Sequence, residues 1–173
     1  MISMLDVSVL VLRVVLGVIF IFHGGDKVFG WFGGSGVQGL AQSLRKSGSI
    51  YPELLAWLAA GSELGGGVLT LIGLLTPFAA SLTISTMIVA IVTVHFKNGF
   101  ASSKHGYEYN LSLIGLALPL VLLGAGTISI DHLLGIDQPI NLLPLWVIVI
   151  LVLVIFGGIV MTQLSKRLGN RAV

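Results

Sequence analysis

Residues 4–24 read MLDVSVLVLRVVLGVIFIFHG, and between Val7 and Phe22 the strongly polar side chains are Ser8 and Arg13 alone. A run of about 20 apolar residues matches about 30 Å of hydrocarbon when coiled as a helix. An arginine at the bilayer centre costs roughly 2.5–3.5 kcal/mol on insertion scales, so it needs a partner. The stretch from Leu54 to Leu75 offers one, because its single charge is Glu63. Arg13 is about the tenth residue of its span and Glu63 about the eleventh of its own. Matching depth predicts a buried Arg13–Glu63 ion pair, serving either as a polar site or as a structural clamp.

Composition agrees with a membrane reading. The 173 residues are 55% hydrophobic and 9% charged, with a mean hydropathy of +1.05. A soluble domain carries about 25% charged residues, so this chain lacks the polar surface that water demands. The net charge of +2 is no nucleic-acid signature, since the basic residues are scattered between apolar spans. With no cysteine, the chain has no disulfide, thiol redox centre or thiolate metal site of its own.

Five spans follow: about Met4–Gly24, Glu53–Leu75, Pro77–Phe96, Glu108–Ala125 and Leu142–Met161. Backbone groups in hydrocarbon must bond within their own segment, so each is expected as a helix. Pro77 suits a first turn, and Pro119 with Gly115 predicts a kink in the fourth span. The expected fold is all-α: a polytopic four-helix membrane bundle with a fifth C-terminal transmembrane helix, in a single domain. The core covers about residues 4–131 and the last helix about 142–163. The first span carries Arg13 and no basic leader, so it reads as retained and not as a cleaved signal.

Five crossings place Lys27, Arg45, Lys46, Lys97, Lys104, Lys166, Arg167 and Arg171 on one side, and Asp6, Asp131 and Asp137 on the other. The positive-inside rule then puts the C-terminus in the cytoplasm of a cell whose inner membrane holds the chain, with the N-terminus outside. The one long connection, from Val28 to Tyr51, carries Val37, Leu40, Ala41 and Leu44 at helical spacing. It reads as a short amphipathic interfacial helix anchored by Trp31, against the alternative of a flexible glycine linker. Residues 34–39 match G-x-G-x-x-G by letter, but no strand precedes them, so no dinucleotide site is expected. Gly61 with Gly65, and Ser62 with Gly66, are small residues four apart that suit close helix packing.

At the basic end, His23 and Lys27 lie one turn apart, His95 closes the third span, and Tyr107 and Glu108 open the fourth. Intramembrane ionisable clusters commonly mark substrate or proton paths. His23, Lys27, His95 and Glu108 are therefore the candidate catalytic residues. Arg13, Glu63, Trp31 and Tyr107 are candidate cofactor-binding residues. Each has a plainer reading: Arg13 and Glu63 as a register-fixing clamp, the lysines as snorkelling or topology residues, the histidines as satisfied interfacial groups. No two histidines have metal-ligand spacing, so no metal is expected.

The order of motifs resembles the DoxX family of small bacterial membrane proteins. The resemblance rests on Leu12-Arg13-x-x-Leu16-Gly17 running through His23-Gly24-x-x-Lys27 to Phe29-Gly30-Trp31-Phe32-Gly33-Gly34. It continues with Gly61-x-Glu63-x-x-Gly66-Gly67, Gly73-Leu74-Leu75-Thr76-Pro77, residues Val94–Phe100 and Gly106-Tyr107-Glu108-Tyr109-Asn110. It covers roughly Val9 to Asp131 and implies a four-helix membrane core with a role in membrane redox metabolism. Relatives include a membrane subunit of thiosulfate:quinone oxidoreductase, and others are linked to resistance against quinones or oxidative stress. The function implied is a quinone-binding membrane subunit of a redox system, with quinone as cofactor and a redox partner protein. A homo-oligomer is a further expectation, and no nucleic-acid partner is expected. A small transporter or channel, and a non-catalytic assembly protein, remain the alternatives.

Overall fold

The computed structural model describes residues 2–136 and residue 158. Among the described residues 2–136, six α-helices follow one another: α1 (Met4–Phe29), α2 (Gly36–Lys46), α3 (Pro52–Ile72), α4 (Thr76–Ala90), α5 (Glu108–Leu123) and the short α6 (Ile130–Leu133). No strand occurs among the described residues. The chain is an all-α membrane protein. α1, α3 and the continuous run Thr76–Asn98 are long and apolar enough to cross a bilayer, and α5 is a shorter apolar helix beside them. The expected fifth span lies outside the described residues, except for Gly158, which approaches Val89 of α4.

The long helices form a ring in which α1 packs on α3, α3 on α4, α4 on α5, and α5 back on α1. The core holds Val9, Leu16 and Phe20 of α1, Ala80, Ile84 and Met87 of α4, and Leu113, Ala117, Leu120 and Val121 of α5. Val7, Val11, Val14, Val18 and Phe22 are exposed on the outer face of α1. In water that row would be an aggregation surface; facing acyl chains it is solvated.

Small residues set the register of α1 against α3. A methyl added to Gly17 would come within 2.8 Å of Leu71 Cβ, and one on Gly67 within 2.7 Å of the Ile21 backbone nitrogen. A methyl on Gly24 would strike the Leu64 backbone. Without a hydrophobic drive between helices in lipid, such close backbone approach is the main source of packing attraction. The expected packing pair Ser62/Gly66 does face α4: Gly66 lies against Thr83 and the Ser62 hydroxyl is 3.2 Å from that of Thr86. Gly61 and Gly65 do not, since a side chain there would meet open space.

That register overturns the Arg13–Glu63 pair. α1 and α3 run antiparallel, and Gly24 meets Leu64, so Glu63 lies level with the far part of α1. From Arg13 to that level is eleven residues, roughly 16 Å of helix. Counting from each helix start misplaced the two charges because the helices are slid past each other: Gly17 already meets Leu71 near the end of α3, so the first turns of α1 project beyond α3.

The long connection folds as expected of its periodicity. α2 spans Gly36–Lys46, with Val37, Leu40 and Leu44 half-buried and Ala41 buried. Its apolar face docks on α3 and α1. Before it, Phe32 takes a left-handed conformation (φ 58°), a strained state for a bulky residue. Its ring stacks on Phe22, centroids 4.4 Å apart, which holds it there.

Candidate functional site

At the acidic end, Arg13 is 2% exposed and spends its guanidinium on backbone. Nε donates to Thr70 O at 3.1 Å and Nη2 to Leu71 O at 3.0 Å. Nη1 donates to Ala125 O at 2.9 Å and to Ile128 O at 2.6 Å. The first two acceptors belong to the last turn of α3, whose carbonyls have no partner within their own helix. Five fixed N–H groups in a planar fork can do this; an ammonium cannot.

Asp131 completes the same end. Its carboxylate accepts from the backbone N–H of Leu75 at 2.7 Å and of Thr76 at 2.9 Å, the open donors at the start of α4. Its own N–H donates to Gly73 O at 2.8 Å. Gly73 has φ +70°, and a side chain there would also collide with the Arg13 guanidinium. Asp6 fastens the segment after α5 by accepting from Thr127 N–H at 2.8 Å. A wide groove of about 680 Å³ lies on this end, lined largely by Ile2, Ile72, Ile128, Ile130 and Leu133.

The basic end is built differently. A cavity of about 300 Å³ lies between α1, α3, α4 and α5, and its polar lining includes His23, Lys27, Glu63, His95, Tyr109 and Asn110. Glu63, 2% exposed, pairs through Oε1 with the Lys27 ammonium. Among the described residues no donor reaches Glu63 Oε2, which is itself buried. Leaving a buried charged acceptor open costs about 1–3 kcal/mol or more, so this atom marks a place the fold alone does not satisfy.

Three elements place the other lining groups. Lys27 is in the last turn of α1, one turn after His23, whose Nε2 lies 3.2 Å from the Tyr109 hydroxyl. His95 ends a widened π-helical turn, Ile91–His95, that continues α4. Such turns add a residue and re-aim side chains, and they are frequent at functional sites. His95 Nδ1 lies 2.8 Å from the His105 carbonyl. A carbonyl only accepts, so Nδ1 carries the hydrogen and the neutral ring keeps Nε2 as an acceptor. Asn110, buried on α5, donates from Nδ2 to Met87 Sδ at 3.2 Å.

Of the residues singled out from sequence, the structure thus gathers His23, Lys27, Glu63 and His95 around one cavity. Glu108 is not among its lining residues. It is exposed, and its Oε2 accepts from both the backbone N–H and the hydroxyl of Ser102 at 2.9 Å, tying the loop to the start of α5. Trp31 stacks on Phe29 with centroids 4.9 Å apart and covers Gly25. Tyr107 stacks on Phe96, centroids 6.1 Å apart. Neither lines the cavity. Tyr109 and Asn110 do, and a signal existed for Asn110: it starts the buried stripe Asn110, Leu113, Ala117, Val121, at helical spacing from the core.

Fold and site together define a small polytopic membrane protein that encloses a buried carboxylate–ammonium pair at one end of its helices. The chain belongs to the DoxX family, whose model matches residues 8–96. It is 33% identical to "Putative oxidoreductase CatD" of Bacillus subtilis (strain 168), over 73% of this chain and 86% of that protein. It is 32% identical to the inner membrane protein YqjF of Escherichia coli (strain K12), over 75% of this chain and 94% of that one. The inner membrane protein YphA of the same organism is 28% identical, over 73% and 89%. No solved structure matches the chain.

Proposed function

We propose that this protein is the quinone-binding membrane subunit of a redox system, and that the cavity between Lys27, Glu63, His23 and His95 holds the quinone head group. The observation that carries this reading is a buried Glu63–Lys27 pair in a cavity that sets the apolar Phe20, Met87 and Leu113 against the polar His23, His95, Tyr109 and Asn110. Drug-sized sites run from about 300 to 1,000 Å³, apolar with a few placed polar groups. A cavity of about 300 Å³ accommodates a ring and leaves an isoprenoid tail to the lipid outside. A quinone supplies two-electron, two-proton chemistry between two carbonyl oxygens.

The chain's own residues would bind and protonate. An ammonium has three donors, and Glu63 takes one of those on Lys27, so the others can polarise a carbonyl oxygen. His23 and Tyr109, exposed and in contact, are placed to pass protons between the cavity and water. With no cysteine in the chain, electrons would come from a partner protein. The name oxidoreductase carried by the Bacillus relative accords with this role. With the basic loops on the cytoplasmic side, as the positive-inside rule has it, protons would be exchanged there.

Lipid extraction of the purified protein, followed by titration of menaquinone or ubiquinone analogues into protein in nanodiscs, tests the reading. Copurifying quinone, or saturable binding weakened by Lys27→Met, is expected. Protein that yields no quinone and binds neither analogue would end it.

A further inference from the structure

A carbonyl ligand would leave one feature of the cavity unanswered. Lys27 offers hydrogens, and a quinone oxygen takes them. Glu63 Oε2 needs a hydrogen, and no described residue supplies it. A quinone has none to give. A hydroxyl group has what both sides require: lone pairs for the Lys27 ammonium and a hydrogen for the carboxylate. Glu63 itself lines the cavity, and the terminal torsion of a glutamate is broad. The carboxylate can therefore turn its open oxygen toward a ligand, with the half-exposed Lys27 ammonium following Oε1 on its flexible stem.

We infer that the Glu63–Lys27 pair reads a hydroxyl, so that the site binds the reduced aromatic diol in preference to the quinone. This rests on the quinone-site reading above and adds a redox-state preference to it. The remaining polar lining is compatible with a diol. His95 keeps an acceptor nitrogen, because its Nδ1–H is engaged by the His105 carbonyl. The formal charges in the cavity, one ammonium and one carboxylate, cancel, which suits a neutral ligand. Sites that hydrogen-bond a substrate hydroxyl discriminate strongly against analogues that lack it. A bond to a carboxylate is among the stronger ones. The diol is expected to bind at least tenfold more tightly than the quinone. A tenfold preference raises the potential of the bound couple by about 30 mV, the two-electron conversion of that ratio.

The test compares three probes on the full chain in nanodiscs under anaerobic conditions: a short-tailed benzoquinone, its quinol, and the dimethyl ether of that quinol. The expected result is tightest binding by the quinol, with quinone and ether both at least tenfold weaker. Equal affinity for quinol and quinone overturns the hydroxyl preference and leaves the quinone site standing. An ether that matches the quinol overturns it too, because the hydrogen would then carry nothing. Failure of all three to bind overturns the quinone site itself. Glu63→Gln replaces the open acceptor by an amide that both donates and accepts. It is expected to bring quinol and quinone to within about threefold of each other; an undiminished preference in this variant refutes the role of Glu63. Should the variant not fold, the three-probe comparison on the unaltered protein still decides.

Discussion

The two ends of the helix ring each bury charges, and they use them in opposite ways. At the acidic end, Arg13 donates to four backbone carbonyls and Asp131 accepts from two backbone N–H groups. These charges answer the open ends of α3 and α4 and the segment after α5. At the basic end, Glu63 and Lys27 answer each other, and one carboxylate oxygen is left over. A charge whose bonding capacity goes to the chain's own backbone builds the fold; one with capacity left beside a cavity is available to a ligand. Volume does not make this distinction, for the larger groove lies at the acidic end.

The sharpest way to break the contrast is Arg13→Leu. It removes a donor from four carbonyls at once; Thr70 O keeps the Gly73 N–H, and each of the others is worth about 1–3 kcal/mol when buried and unanswered. A loss on the order of 5 kcal/mol, and a melting temperature lower by about 10–20 °C, is expected. Arg13→Lys should recover only part, since one ammonium cannot reach four acceptors. Quinone affinity of whatever folded protein remains should be unchanged. Thermal unfolding and ligand titration on the same samples check both halves; a stable Arg13→Leu protein that has lost its ligand would reverse the assignment of the two ends.

Next in size is Lys27→Met. It strands a buried carboxylate, which costs about 3–5 kcal/mol, whereas replacing both partners of such a pair by apolar residues is often neutral. Stability should therefore fall in Lys27→Met and return in the double variant Lys27→Met with Glu63→Leu. Ligand binding should be lost in both. A double variant that is stable and still binds would show the pair to be structural, like Arg13.

A smaller effect is expected from Gly24→Ala. The methyl meets the Leu64 backbone, so α1 and α3 must part slightly, at a cost of about 1–3 kcal/mol. Because Gly24 lies one residue from His23 and level with Glu63, ligand affinity should fall with it. The same methyl at Gly61 meets open space and should leave affinity unchanged, while stability rises by about 0.5–1 kcal/mol because alanine is the better helix former.

The fold was largely legible because lipid permits few alternatives. An apolar run of about 20 residues must be a helix, and the periodicity of Val37, Leu40, Ala41 and Leu44 announced α2. The partners of the charges were not legible. Depth along a span is a count from a helix start, and both starts fall within one residue of expectation, at Met4 and Pro52. Sequence does not show how far two antiparallel helices slide past each other, and here the first turns of α1 project beyond α3 and carry Arg13 away from Glu63. Nor does sequence show that an arginine will bond carbonyls in place of a carboxylate, since every residue presents that acceptor. His23, Lys27 and His95 could be placed together because helix ends are marked by glycines and loops, which register errors disturb less. Tyr107 and Tyr109 both flank Glu108, and only the helix phase, set by Asn110 turning inward, decides which of them reaches the cavity.

The smallest expected effect belongs to Glu108, and it sharpens the boundary of the basic end. As a carboxylate among ionisable neighbours it resembles a catalytic acid. Its oxygen is occupied by the Ser102 N–H and hydroxyl, and Glu108 itself does not line the cavity, although Ser102 does. Glu108→Gln keeps an acceptor for Ser102 but removes the charge that strengthens both bonds. The loop from Gly99 to Gly106 should open more often, read as faster hydrogen exchange at the Ser102 amide. Ligand affinity should fall far less than in Lys27→Met, because Lys27, Glu63 and His23 stand on α1 and α3; the loop touches the site through Ser102 and through His105, whose carbonyl holds His95 Nδ1. If Glu108→Gln weakened binding as strongly as Lys27→Met, the site would include Glu108 itself, and the proton route would run by Glu108 in place of His23 and Tyr109.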